Sequence, residues 1–335
     1  QFYAGALARS ADPAVIDRIW TMIMSFAGYS FCKPHSASYA QVSFKSAYLR
    51  AHYPAEFIAA VISNQGGFYS TFAYLSEARR MGLTILPPDI NDSRWAYRGW
   101  ARSLRVGFMQ IRRLRKDMAD ALIAKREAGG PYRSLQDFLE RVNPDPAQAR
   151  LLITAGCFDS IAGELTRPAL CWRLLAWQEH ASTGYLPIPP EYSPPQLIEH
   201  EIERFGFPLR CHPLDLIPAA ALPPRRISAA EMGRYVGRSI TMAGVLITEK
   251  IVHTKQGEPM EFVSFEDETG LYDATLFPAV YRNTCHLLAT NQVYVIQGVV
   301  EAHFAAVTLT VTALRSAEVM GSCSRQKNRH RLVRS

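Results

Sequence analysis

Lys33, His35 and Lys45 place two ammonium groups and an imidazole along one stretch with helical spacing, "CKPHSASYAQVSFKSAYLRAH". Read as a helix from about Ser36, its Ala37, Ala40, Phe44, Ala47, Tyr48 and Ala51 form one stripe, which needs a core. Ser38, Gln41, Lys45 and His52 form a second, turned by about 100° at 3.6 residues per turn. Lys33 and His35 then stand at the positive end of the helix dipole, where an anion is stabilised. Pro54 marks the end of the helix. The same residues also fit a solvated helix face with a capping serine, and spacing alone does not separate the two readings.

A second cationic group lies at 98–116, with seven Lys or Arg and no Asp or Glu. Its densest part, "IRRLRKDM", holds Arg112, Arg113, Arg115 and Lys116. A third block, 325–334, has five Lys or Arg and no acid. Such blocks favour polyanionic partners, although a terminal block also fits a plain tail.

Helices and turns must position these groups. "DPAVIDRIWTMIMSFAG" opens with Asp12 as N-cap and Pro13 at the first helical position, and it stops at Gly28. "AEFIAAVISNQGG" and "FAYLSEARRMG" are amphipathic and end at glycine, and "LPPDINDS" leaves this helical block. "DMADALIAKREAGGP", "SLQDFLERV" and "DPAQARLLITAG" follow as three short helices with tight glycine turns, which suits a helix-hairpin-helix unit or a generic bundle. "TGYLPIPPEYSPPQ" and "LIPAAALPPRR" read as stiff proline-rich linkers around a short helix, "LIEHEIERFG".

From about Tyr235 the hydrophobic period becomes two. Five strands rich in Val, Ile, Thr and aromatics follow, with the helix "AVYRNTCHLL" between the third and fourth. That layout predicts an OB-fold barrel, a fold that commonly holds single-stranded nucleic acid or oligosaccharide. Lys250, His253 and Lys255 flank its first hairpin, where such barrels bind strands. Tyr272, Phe277 and Tyr281 are candidate stacking residues, of which period two places at least one in the core. Gly257 and Gly270 fall at hairpin turns, and Glu266-Asp267-Glu268 fits a turn better than a catalytic cluster.

The chain has 335 residues, a net charge of +7, 48% hydrophobic and 20% charged residues. That balance describes a globular protein of two or three domains. No apolar run approaches the roughly 20 residues of a membrane span, and no signal-peptide pattern opens the chain, so no membrane partner is expected. The start at Gln1, in helix-like sequence, suggests a fragment of a longer chain. Six cysteines without a CxxC pair argue against zinc and a disulfide framework, and point to a reducing, cytoplasmic compartment.

"FAGYSFCKPHSASYAQVSFKSAYLRAHYPAEFIAAVIS" resembles the fingers region of bacterial C-family DNA polymerases, the alpha subunit of DNA polymerase III. "LPPDIN", "LITAGCFDS", "FGFPLRCHPLD" and "FVSFEDETGLYDATLFPAVY" resemble later landmarks of that family, in its order, so the resemblance runs over about residues 1–315. "CKPHSASY" followed by "SNQGGFY" is more similar to the error-prone branch than to the replicative one.

The resemblance implies a multidomain α+β chain: fingers at 1–85, a helix-hairpin-helix region at 86–181, a proline-rich linker at 182–234, an OB-fold at 235–316 and a basic tail at 317–335. It implies that Lys33, His35 and Lys45 meet an incoming deoxynucleoside triphosphate, with Tyr39 and Tyr48 packing. Primer-template and single-stranded DNA are the expected partners, with other polymerase or mutagenesis-complex subunits beside them. The family's palm holds Mg2+ on clustered carboxylates, and no such acidic motif occurs here. This chain is therefore expected to bind no cofactor, to hold no catalytic residue and to be inactive alone. The hairpin departs from the phosphate-gripping pattern, because Arg113 and Arg115 stand where glycines are expected. A stand-alone nucleic-acid-binding protein with a tRNA-anticodon-type barrel is the alternative, to which the fingers landmark is foreign.

Overall fold

The computed structural model describes residues 2–9, 12–25, 33–65, 67, 69–180, 186–289, 292–303 and 306–317, apart from the side chains of 25, 33, 34 and 303. The chain divides into two compact units, Gln1–Tyr53 and Pro54–Ser335. That division falls well before the boundary at 85 expected from the sequence. Among the described residues no helix is long and apolar enough to cross a membrane.

The first unit holds α1 (Phe2–Leu7), α2 (Pro13–Ser25) and α3 (Lys33–His52). Asp12 caps α2, its Oδ1 accepting from the Ala14 amide at 2.8 Å. The helix α3 begins three residues before Ser36, so that serine lies within the helix instead of capping it. Its expected apolar stripe is exposed among the described residues, with Phe44 79% and Tyr48 57% exposed, as is Tyr39 at 63%.

The second unit opens with α4 (Pro54–Asn64) and α5 (Thr71–Arg80), followed by three short strands, β1 (Thr84–Leu86), β2 (Arg98–Trp100) and β3 (Ser103–Arg105). β1 runs parallel to β3, and β2 antiparallel to it. Gly99 lets β2 pass directly over the α4 backbone, where a Cβ would collide with the Ala55 carbonyl. Then come α6 (Lys116–Gly129), α7 (Leu135–Val142), α8 (Pro146–Thr154), α9 (Arg167–Gln178) and α10 (Pro194–Phe205). Ser134 caps α7 through the Asp137 amide, and Asp145 caps α8 through the Ala147 amide.

The segment expected as a stiff, proline-rich linker is packed in its second half. Phe205, Phe207, Leu209, Leu214, Ile217 and Leu222 belong to the core shared with α4–α8. Proline stiffens this strap without releasing it, because its apolar residues still gain by leaving water.

The barrel comprises β4 (Ser239–His253), β5 (Pro259–Glu266), β6 (Leu271–Leu276), α11 (Pro278–Thr284), β7 (Val293–His303) and β8 (Ala306–Ser316). It closes in the order β4-β5-β6-β8-β7, antiparallel except for β6 against β8. With α11 between the third and fourth strands, this is the OB-fold. Met242, Leu246, Val263, Phe265, Tyr272, Tyr294, Ile296 and Leu309 fill the interior. Ala243, Val245, Ile247, Val293 and Val295 point the other way, into the helical core. The run 242–247 is thus buried on both faces, which explains its near-continuous apolar sequence.

Candidate nucleic-acid interface

The cationic block at 98–116 does not survive folding as a free patch. Arg102 donates to the carbonyls of Met81 and Gly82, and Arg105 to Pro87 O and Asp92. Arg115 and Lys116 turn to acids just beyond the block, at 3.2 Å to Asp117 and 2.6 Å to Asp120. The expectation of acid-free charge at the hairpin is therefore corrected for those two residues: helical i,i+4 spacing sets Asp120 beside Lys116, and the extended N-cap backbone at Arg115 lets its side chain meet Asp117 in the first turn of α6. Arg98 lies over the exposed Trp100 ring, 5.6 Å from its centroid.

Arg112, Arg113, Arg115 and Lys116 all face solvent, the last two beside their carboxylates. The turn that presents them joins the 3-10 segment Phe108–Gln110 to α6. Arg113 sits at φ 67°, a left-handed conformation that costs a residue with a Cβ about 1–2 kcal/mol. A glycine-type backbone geometry is thus present without the glycine. The Arg112 amide donates to Arg204 O at 2.7 Å. Its guanidinium rests against Gly206, φ 92°, where a Cβ would displace it. The hairpin is in this way fastened to the strap.

On the barrel, register places Lys250 opposite Phe262 and Phe262 opposite Thr275, one row across the outer face of β4, β5 and β6. Phe262 is 48% exposed although its neighbours Val263 and Phe265 are core. Lys250, His253 and Lys255 are all exposed, the last in the turn that Gly257 makes at φ 81°. Phe277, also exposed, stands at the N-terminus of α11. Tyr272 is corrected: it is 4% exposed, stacked on Phe265 inside the barrel, and burial holds its phenol well above the usual range. Tyr281 packs partly against the same core. Phe262 is the aromatic that the sequence reading missed; outward parity against Val263 and Phe265 was its signal.

Two comparisons bear on identity. A helix-hairpin-helix motif family matches residues 82–169. The error-prone DNA polymerase of Symbiobacterium thermophilum is 30% identical over 87% of this chain and 32% of its own length. The DNA polymerase III subunit alpha of Saccharopolyspora erythraea is 28% identical over 89% of this chain and 28% of its own.

The chain is a relative of the bacterial C-family DNA polymerases.

It spans about a third of the length of the first relative and somewhat less of the second. Among solved structures, a domain of replication protein A from Methanococcus maripaludis aligns with 28% of this chain and 98% of its own, at 14% identity and a TM-score of 0.25. That score adds nothing to the strand order already described.

α3 carries the three residues that the sequence singles out for an anion. His35 and Lys45 are exposed on it, and the His35 ring meets Tyr39 edge-on at 4.5 Å. Lys33 is the first residue of the helix, and its side chain lies outside the described residues. Tyr39 and Tyr48, expected to pack, are exposed.

Among the described residues no three His, Cys, Asp or Glu come together to hold a metal. Each acid of the 266–268 run has a structural duty. Glu266 meets Arg80 at 3.0 Å, Glu268 meets Arg226 at 3.6 Å, and Asp267 accepts from the Ala229, Thr269 and Gly270 amides. These residues do not fit Mg2+.

Proposed function

We propose that this chain supplies DNA-binding surfaces to a DNA-directed DNA polymerase. The hairpin at 112–116 contacts the duplex backbone, led by Arg113. The outer barrel row of Lys250, Phe262 and Thr275, with Phe277 at the start of α11 and His253 and Lys255 toward the first hairpin, takes single-stranded DNA. Lys33, His35 and Lys45 serve the incoming triphosphate in the same enzyme.

The observation that carries the reading is Arg113 in a glycine-type conformation, at the turn of a segment matched by the helix-hairpin-helix family. Phosphate contacts dominate nucleic-acid affinity, and a residue held outward at a tight turn reaches a phosphate without bringing a carboxylate along. An exposed aromatic beside a lysine suits sequence-tolerant stacking.

Chemistry requires carboxylates and Mg2+ from outside this chain, which by itself is expected to bind DNA without extending it. Relatives named error-prone DNA polymerase and DNA polymerase III subunit alpha match alike, so the reading covers replication and translesion repair without choosing a fidelity. Cytoplasmic residence, with other polymerase subunits as partners, belongs to the same proposal.

The test is binding of the full chain to labelled duplex and single-stranded DNA. Arg113→Glu is expected to weaken duplex binding selectively, and Phe262→Ala single-strand binding selectively. Undiminished binding in both variants would refute the assignment.

A further inference from the structure

Gln148 is the third residue of α8, and it is 8% exposed. Its Oε1 accepts from the Arg115 amide at 2.8 Å, and its Nε2 donates to the Arg113 carbonyl at 3.2 Å. An amide N–H must meet an oxygen and a carbonyl must meet an N–H, so only one orientation of the carboxamide satisfies both. The two bonds bracket Leu114, gripping the backbone directly after the left-handed Arg113, from the Arg113 carbonyl to the Arg115 amide.

We propose that Gln148 is the positioning residue of the hairpin: its paired bonds hold Arg113 in the left-handed conformation, so that a loop with arginine in place of glycine keeps a phosphate-ready shape. The inference rests on the duplex-contact reading above and adds the residue that makes it possible. Arginine does not choose this backbone conformation unaided, whereas glycine adopts it freely. Burying a primary amide is unfavourable unless both of its functions are bonded, and here both are spent on one turn. A residue that merely filled the space would serve equally well as leucine.

The experiment uses the full chain with Gln148→Leu, which keeps the volume and removes both bonds. Hydrogen exchange at the Arg115 amide is expected to accelerate about tenfold, and duplex affinity to fall about tenfold, with helical circular dichroism retained. In an Arg113→Gly background the same change is expected to cost little affinity. Equal losses in the two backgrounds would reduce Gln148 to a packing residue and overturn the inference, as would unchanged exchange at Arg115. Where Gln148→Leu fails to fold, Gln148→Glu replaces it: the acceptor for Arg115 stays, the donor to Arg113 goes, and affinity is still expected to drop. Arg113→Glu separates the layers. If it weakens duplex binding while Gln148→Leu does not, the brace alone is wrong. If neither does, the duplex-contact reading falls with it.

Discussion

Arg80 Nη1 lies 3.0 Å from Glu266 Oε1, and this pair ties α5 of the helical body to β5 of the barrel. The Glu266 side chain is 2% exposed, and His212 of the strap approaches the same oxygen at 3.6 Å. Three elements distant in sequence thus converge on one buried carboxylate. The hairpin and the barrel are held in one unit through the strap, which bonds to Arg112 at one end and reaches Glu266 further on.

Breaking this pair from one side strands a buried charge, which costs more than the pair itself contributes. Arg80→Ala is expected to lower unfolding free energy by about 3 kcal/mol, the low end for a buried pair, because Arg80 is partly exposed. Denaturant titration of Arg80→Ala, Glu266→Gln and the double variant provides the check. The double variant should lose less than the sum of the singles, and full additivity would exclude the coupling.

Glu261 sets a pH dependence. It faces the barrel interior, and its Oε2 is buried without a hydrogen-bond partner. Burial, and next the charge of Glu249, push its carboxyl up to about 7. The folded state then binds a proton that the unfolded chain, near 4.3, releases earlier. Stability is therefore greatest at acidic pH and is lost as pH rises from about 4.3 through 7. Glu261→Gln should flatten that fall in melting temperature between pH 5 and 8. A parallel profile in the variant would assign the dependence to another group.

Phe262 and Tyr272 should behave oppositely on truncation. Phe262→Ala is expected to cost about 1–3 kcal/mol of single-strand affinity and little stability. Tyr272→Ala should cost about 3–5 kcal/mol of stability by opening a cavity beside Phe265. Parallel single-strand binding and thermal melts distinguish the two, and a melt unchanged by Tyr272→Ala would contradict its core placement.

Much of this architecture was legible in the sequence, and the failures have physical causes. The five strands and α11 were readable because period-two segments with β-branched residues admit few alternatives. Asp267 was correctly a turn residue, since its carboxylate satisfies amides that the hairpin leaves open. The strap was misread because proline content signals stiffness, not exposure, while Phe205, Phe207 and Leu214 were already apolar enough to bury. The acid-free block failed because counting charges along the chain ignores carboxylates one turn further on, such as Asp120 beside Lys116. Gln148 gave no signal at all: one glutamine in a helix carries no pattern until a fold sets it against a turn 33 and 35 residues earlier. The stripe on α3 reads as apolar, yet Phe44 and Tyr48 are exposed among the described residues.

The central claim is that Arg113, at the turn of the hairpin, engages a DNA phosphate. A salt titration of duplex affinity tests it most directly, with wild-type chain and Arg113→Ala measured side by side from about 50 to 200 mM salt. Loss of one phosphate contact should lower affinity uniformly across duplex sequences and reduce the slope of log affinity against log salt by about 0.9. Identical slopes and affinities for the two proteins would contradict the claim.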